Sequence, residues 1–89
     1  MISHINDDFR ELFAKLPAHI QGLARKNYKL WKRDPFHHSL QFKQVHPTVP
    51  IWSVRVARGW RAVGWRENDV IIWYWIGSHG DYDKLLAKL

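Results

Sequence analysis

The chain has 89 residues, of which 46% are hydrophobic and six are tryptophan, so it is too apolar and aromatic to be disordered. At this length it has room for one domain, which we expect to span residues 1–89. It contains no cysteine, which excludes disulfide bonds and cysteine-based zinc sites.

The charge and the terminal segments indicate the kind of protein and of partner. The net charge is +6 and the sequence pI is about 10.0, a balance that favours polyanionic partners. The first eight residues have no apolar core like that of a signal peptide. The longest apolar run, residues 70–77, is too short to span a membrane. We therefore expect a soluble cytoplasmic protein with no membrane partner.

The first half of the chain predicts two helices. Apolar residues recur at helical spacing in residues 9–16, Asn6 can serve as the N-cap, and two aspartates follow it. Pro17 suits the first turn of a second helix, which Asp34-Pro35 should end. The apolar face of that helix would consist of Ile20, Leu23, Ala24, Tyr28 and Trp31.

The second half predicts extended structure. Residues 40–45, 51–57, 60–66 and 70–76 are strand candidates, and the last of these is apolar on both faces, so we expect it in the centre of a sheet. A glycine-flanked exit at residues 77–80 precedes a short C-terminal helix. The predicted fold is α+β, with an N-terminal helical hairpin packed on a twisted three- to four-stranded antiparallel sheet and a short C-terminal helix.

Two registers are open for the hairpin around Gly59. A two-residue loop would put Arg55 and Arg61 on opposite faces, whereas a three-residue loop with a left-handed Gly59 would place them directly across from each other. We favour the second register, because it gathers Trp52, Val54, Val56, Trp60 and Ala62 on one face. Two paired arginines need an anion such as phosphate, unless they simply lie on a solvated polar face with acidic neighbours.

His79 and Tyr82 follow the last predicted strand. A histidine presented between two glycines is a natural proton carrier near neutral pH, or it is merely a turn residue. Tyr82 could orient it, or it could belong to the core as the first residue of the apolar stripe of the last helix. The other histidines have no partners at metal-ligand spacing, so we predict no metal site.

Five stretches, each in the expected order and spacing, together resemble the RelE/ParE superfamily of toxins from bacterial toxin–antitoxin pairs over nearly the whole chain. They are residues 16–21 (LPAHIQ), 34–43 (DPFHHSLQFK), 52–56 (WSVRV), 60–64 (WRAVG) and 73–79 (WYWIGSH). The resemblance implies a toxin that is neutralised by a cognate antitoxin and that cuts messenger RNA in the ribosomal A site. The cut would need no cofactor, because the 2′-hydroxyl attacks the neighbouring phosphate.

The resemblance also implies roles for individual residues. Arg61 and Arg55 match basic positions on the two hairpin strands, His79 matches a terminal His or Arg, and Tyr82 approximates a C-terminal aromatic residue. These four are the candidate catalytic residues. The candidates for contact with RNA or phosphate are Lys43, Arg58, Arg25 and Lys29, although the basic helix face that carries the last two could instead be solvated or attract an acidic antitoxin segment.

This sequence departs from the resemblance at two points. It has Ser53 where some RelE-like members carry a second lysine, and no glutamate stands where some members have a general base. The ParE branch, moreover, has the same fold but inhibits DNA gyrase without cleaving RNA. A gyrase inhibitor and a decayed toxin that retains only antitoxin binding therefore remain as alternatives.

Overall fold

The computed structural model describes residues 1–89 as an α+β fold. Three helices pack on one five-stranded sheet. In chain order the elements are β1 (Ile2–Ile5), α1 (Asp7–Ala14), α2 (Ala18–Arg33), a 3₁₀ turn (His38–Leu40), β2 (Lys43–Gln44), β3 (Ile51–Ala57), β4 (Trp60–Glu67), β5 (Val70–Ser78) and α3 (His79–Ala87). The strands lie in the order β1-β5-β4-β3-β2. The predicted α+β class is confirmed.

The sheet differs from the prediction in its number of strands and in the direction of one strand, which runs parallel to its neighbour. It has five strands rather than three or four, because Ile2–Ile5 forms an edge strand that pairs parallel with β5. β4 therefore occupies the centre, and β5, predicted to be central, lies between β1 and β4. The predicted strand at residues 40–45 is replaced by the 3₁₀ turn and the two-residue strand β2.

The helical hairpin begins and ends where the sequence predicted. The Asn6 side chain caps α1 by accepting a hydrogen bond from the backbone N–H of Phe9 at 2.9 Å. Pro17 directly precedes α2, and Asp34 ends it. The predicted apolar face of α2 is only partly buried: Ile20 and Trp31 are in the core, whereas Leu23 and Tyr28 are 41% and 43% exposed.

The main core lies between α1, α2 and one face of the sheet, which we call the helix face. Trp31 is 2% exposed and meets Phe42 and Trp73 edge-on, with ring centroids 5.7 and 5.5 Å apart. Burial of each such side chain contributes about 1.5–3 kcal/mol. The helix face of β3 and β4 carries the predicted apolar group, since Trp52, Val54, Val56, Trp60 and Ala62 all belong to this core or pack against it.

The opposite face of the sheet, which we call the site face, is only partly covered. Ile51, Val63 and Tyr82 form a second small core there, with Leu85 and Leu86 of α3 packed against it. Helix α3 begins at His79, immediately after β5 ends at Ser78, whose hydroxyl accepts from the N–H of Asp81 at 3.2 Å. The glycine-flanked exit predicted at residues 77–80 is therefore not a loop.

Candidate functional site

Arg55 lies directly opposite Arg61 in the hairpin of β3 and β4, as the favoured register predicted. The turn differs from the prediction: it has two residues rather than three, because Ala57 pairs with Trp60. Gly59 has a φ of +79°, the left-handed conformation predicted for it. A bulge between Arg55 and Ala57 leaves Val56 without a partner on β4. Two like charges are thus held side by side on adjacent strands, an arrangement that is unfavourable without a counter-ion.

The next strand brings the C-terminal candidates to the same end of the sheet. Gly77 on β5 pairs with Arg61, and the backbone N–H of His79 donates to the carbonyl of Gly59 at 2.8 Å. The ring of Tyr82, one turn into α3, lies 5.3 Å from the Arg61 guanidinium and 5.5 Å from the His79 ring. The four predicted catalytic residues therefore form one cluster.

Arg61 is held rigidly at the floor of this cluster. It is 5% exposed, and its Nε donates to the hydroxyl of Ser53 at 2.7 Å. Its two terminal nitrogens donate to the side-chain and backbone oxygens of Gln41, both at 3.1 Å. An arginine has five N–H donors, so two remain after these three bonds.

The charge of Arg61 has no acidic partner. Neither Arg61 nor Arg55 forms an ion pair, and all the protein acceptors of Arg61 are neutral. Burial lowers the pKa of the Arg61 guanidinium from its ordinary value, and Tyr82 opposes that shift while Arg55 adds to it. A buried cation without a counter-ion is a strong local source of positive potential, because nearby solvent is not there to screen it.

His79 combines exposure with an orienting partner. Its side chain is 56% exposed, and its Nε2 lies 3.5 Å from a carboxylate oxygen of Asp83, one turn along α3. Tyr82, in contrast, is 5% exposed and packs beside Trp75, so its phenol ring belongs to the core. Chemically, the cluster offers one fixed cation, a second cation on the neighbouring strand and one accessible imidazole.

Two further predicted contact residues lie near this cluster. Lys43 on β2 pairs with Ser53, which places it on the site face, with β3 between it and the strand of Arg61. Arg58 is exposed in the hairpin turn, next to the glycine whose carbonyl binds the first residue of α3.

The other two predicted contact residues lie elsewhere. Arg25 and Lys29 line a groove of about 520 Å³ between α1, α2 and the helix face of the sheet. The groove is mainly apolar, and the guanidinium of Arg25 stacks over Phe13 at its edge, 5.1 Å from the ring centroid. The sheet separates these two cations from Arg61, because Arg61 lies on the site face. The structure therefore keeps them apart from Arg61 and the C-terminal candidates, whereas Arg55 also lines this groove.

Sequence reasoning missed the residues that hold Arg61. Gln41 has a φ of 48°, a left-handed conformation that is uncommon for a residue with a side chain, and both its oxygens face Arg61 from 20 positions away. No local pattern marks such a contact. Ser53 could have been suspected, because it is the only polar residue besides Arg55 in the strand.

No group of three or more histidine or carboxylate side chains comes together in a way that could hold a metal ion. None of the helices combines the length and the apolar character needed to cross a membrane.

Comparisons with known proteins agree with this architecture. Residues 18–84 match the sequence profile of a family described as the ParE-like toxin domain. No curated protein sequence matches the chain significantly.

Similar folds occur in solved toxin structures. A chain of the RelB–RelE antitoxin–toxin complex from Methanococcus jannaschii superposes on this protein with a TM-score of 0.73 at 12% sequence identity. The match covers 92% of this chain and 96% of that one. A chain of the RelBE2 toxin–antitoxin complex from Mycobacterium tuberculosis matches with a TM-score of 0.69 at 14% identity, over 86% of this chain and 95% of that one. The isolated RelE toxin of E. coli matches with a TM-score of 0.64 at 13% identity, over 98% of this chain and 96% of that one. At these identities the likeness concerns the fold.

Proposed function

The chain belongs to the family of ParE-like toxin domains and is a toxin of the toxin–antitoxin class, and from this premise we propose that it cleaves messenger RNA on the translating ribosome. The observation that carries the proposal is the cluster of Arg55, Arg61 and His79, which offers two cations without acidic partners beside one exposed imidazole. An RNA phosphate supplies the missing anion, and the imidazole supplies the proton transfer that RNA cleavage needs.

The proposed reaction is an in-line attack within the RNA itself. The 2′-hydroxyl attacks the adjacent phosphorus, its proton passes to a base, and the 5′-oxygen of the next nucleotide leaves with a proton from an acid. Arg55, which is half-buried, contacts the phosphate oxygens, while buried Arg61 adds a fixed positive charge directly beside it. His79 acts as the acid or the base, and Asp83 orients its ring.

Tyr82 acts on this site through its neighbours. Its ring packs against both the Arg61 guanidinium and the His79 imidazole, so it fixes the spacing between the cation and the proton carrier. We therefore assign Tyr82 a positioning role, because a side chain that is 5% exposed offers little surface to a substrate.

Primer extension on a defined messenger tests the proposed function. The purified protein is added to a translation reaction and, separately, to the same messenger without ribosomes. We expect new 5′ ends within codons only when ribosomes translate. Cuts on naked RNA would retain the ribonuclease but reject the ribosome-dependent mechanism. Growth arrest without any cut messenger would reject the ribonuclease.

We further propose that an antitoxin is the protein partner, and the groove on the helix face supports this. The groove is lined by apolar side chains of α1, α2 and the sheet, and its charged lining residues are all basic: Arg10, Arg25, Lys29 and Arg55. An amphipathic segment with apolar anchors and acidic flanks fits such a surface. The exposed apolar residues Ile5 and Tyr28, which also line the groove, widen it beyond a single side-chain pocket.

A non-enzymatic inhibitor of DNA gyrase is the second candidate function. The matching family profile is named for the ParE-like domain, and Arg61 has three of its five N–H donors occupied by the protein itself. Under this alternative, Arg55 and His79 are interface residues. Accumulation of cleaved or relaxed DNA in the presence of intact messengers would favour it over the ribonuclease.

A further inference from the structure

A second basic cleft lies beside the Arg55–Arg61 pair. It has a volume of about 300 Å³ and is lined by α2, the 3₁₀ turn, and the end of β3 with its turn. Three of its seven lining residues are the cations Lys26, Arg55 and Arg58, and none is acidic. We call this the basic cleft.

None of the three cations has an acidic partner. The ion pairs of the protein join the N-terminus to Asp69, Arg10 to Asp7 and His79 to Asp83. Three cations gathered around one concavity repel one another, so the cleft is least favourable when empty of anions. A solvated basic surface would spread such charges over a convex face, whereas here they share one concave space.

The backbone around the cleft is fixed by a specific contact. The bulge in β3 leaves Val56 unpaired with β4, and the side-chain amide of Asn27 donates to the free Val56 carbonyl. Lys26 directly precedes Asn27, so this bond holds the turn of α2 that carries Lys26 against the end of β3. The bulge thus has two effects: it permits the register that pairs Arg55 with Arg61, and it anchors the helix that carries Lys26.

Arg55 belongs to both sites. It lines the basic cleft, and it lies directly opposite Arg61 on β4. We propose that Lys26, Arg55 and Arg58 bind a second phosphodiester of the same RNA strand, next to the phosphate held at Arg55 and Arg61. This inference rests on the proposed RNA substrate, and it makes Lys26 and Arg58 positioning residues for that substrate.

The alternative ligand is an acidic protein segment. The cleft favours a phosphodiester, because it is small and polar and has Leu23 and Ala57 as its only apolar lining residues. Arginine donates to two phosphate oxygens at once, and lysine serves as a point charge for a third.

Binding of a non-cleavable RNA isolates the basic cleft from catalysis. The probe is a fluorescein-labelled, single-stranded 2′-O-methyl oligoribonucleotide, whose binding is followed by fluorescence anisotropy over a range of salt concentrations. We expect Lys26→Gln and Arg58→Gln each to weaken binding about 5- to 10-fold. Each should reduce the slope of log K against log salt by about 0.7, the value for one phosphate contact on a single strand. Lys32→Gln, which removes the same charge from an exposed position farther along α2, is the matched control.

A second set of probes locates the contact. One phosphate at a time is replaced by a neutral methylphosphonate, and each probe is measured with the wild type and with Lys26→Gln. We expect one position at which the substitution weakens wild-type binding but no longer affects the variant.

Three results would overturn the inference. Equal losses of RNA affinity for Lys26→Gln and Lys32→Gln would show general electrostatic attraction. The same conclusion would follow if Lys26→Gln coupled equally to every methylphosphonate position. Failure of the wild type to bind the probe would also overturn it, yet ribosome-dependent cleavage in the primer-extension assay could still hold. Conversely, a specific cleft in a protein that cuts no messenger would reject the proposed reaction alone.

Discussion

Gln41 shows how one residue, 20 positions from Arg61 in the sequence, fixes the position of that buried guanidinium. Its backbone is in the left-handed region, and from there its side-chain and main-chain oxygens both accept from Arg61. A left-handed backbone costs a residue with a Cβ roughly 1 kcal/mol. The conformation persists because it satisfies a buried guanidinium that has no carboxylate nearby.

Replacement of Gln41 by alanine and by glycine separates strain from hydrogen bonding. Both variants lose the side-chain acceptor and keep the carbonyl, but only glycine adopts a φ of 48° without strain. We expect Gln41→Gly to exceed Gln41→Ala in free energy of unfolding by about 1 kcal/mol. Chemical denaturation measures this difference. Equal stabilities would mean that the loop relaxes to another conformation once the side chain is gone.

His79 is the residue whose loss should affect the reaction and spare the fold. Its side chain is 56% exposed, and its one ion-pair partner, Asp83, is also exposed. We expect His79→Ala to lower the cleavage rate by about 10²- to 10⁴-fold, the usual contribution of a general acid or base, with no loss of stability.

The control for His79→Ala is His19→Ala, a histidine exposed near the start of α2. Single-turnover cleavage in the translation reaction, with thermal unfolding as the check on folding, measures both variants. Full activity of His79→Ala would remove the imidazole from the mechanism.

Arg61 calls for a different choice of variant. Truncation to alanine would leave the buried hydroxyl of Ser53 and the oxygens of Gln41 without their donor, and each such group costs about 1–3 kcal/mol. A loss of toxicity in Arg61→Ala would therefore mix lost chemistry with lost structure. Arg55, which makes none of these bonds, gives the cleaner test of the phosphate site.

At the scale of elements, the sequence was informative wherever the contacts were local. The capping of α1 by Asn6, the end of α2 at Asp34 and the left-handed Gly59 were all predicted, because each depends on residues a few positions apart. Strand β1 was missed, since its four residues gain their structure only by pairing with β5, almost 70 positions away.

The same distinction applies to the candidate site. The pairing of Arg55 with Arg61 was predicted from the apolar face that it gathers on the hairpin, but the bulge that produces this pairing with a two-residue turn was not predicted. The packing of Arg25 and Lys29 along an apolar groove depends on how α1 and α2 sit on the sheet, which no local pattern reveals. The bond from Asn27 to Val56 joins a helix to a strand bulge 29 positions later, and it was missed for the same reason.

Two glycines provide a test of how tightly the elements pack. A Cβ at Gly22, within α2, would meet nothing within 4 Å, whereas a Cβ at Gly64 on β4 would lie 2.8 Å from the buried Ile71 and 2.9 Å from Trp73. We expect Gly22→Ala to stabilise the protein by about 0.5–1 kcal/mol through helix propensity. Gly64→Ala should destabilise it by about 1–3 kcal/mol through overpacking.

Urea denaturation of the two variants, compared with the wild type, measures both effects. Each variant adds the same methyl group, so the comparison isolates the surroundings. A Gly64→Ala protein as stable as the wild type would mean that β4 and β5 separate with little cost.

At the scale of the whole molecule, the sheet divides the protein into two surfaces with different chemistry. The site face presents the Arg55–Arg61 pair and His79, and the helix face presents the apolar groove with its basic edge. Of the residues proposed to cleave RNA, an antitoxin segment in the groove would meet only Arg55, which also lines the groove. It would neutralise the toxin sterically, because the toxin with a bound antitoxin would be too large to enter the ribosomal A site.

This division predicts that toxicity and antitoxin binding can be lost separately. Ala24 lines the groove from α2, so Ala24→Phe fills the space that an anchoring side chain would need. We expect it to weaken binding of the antitoxin by about 30-fold or more, equivalent to about 2 kcal/mol, and to leave messenger cleavage unchanged. His79→Ala should do the reverse.

The matched control is Ala18→Phe, the same substitution at an exposed position outside the groove, at the start of α2. The antitoxin is taken as the protein encoded by the adjacent reading frame, and its affinity is measured by titration calorimetry beside the cleavage assay. If Ala24→Phe bound as tightly as Ala18→Phe, the antitoxin would lie elsewhere. If instead His79→Ala lost both activities, the antitoxin would reach the site face and neutralise the toxin by covering it, because one residue would then serve both the reaction and the interface.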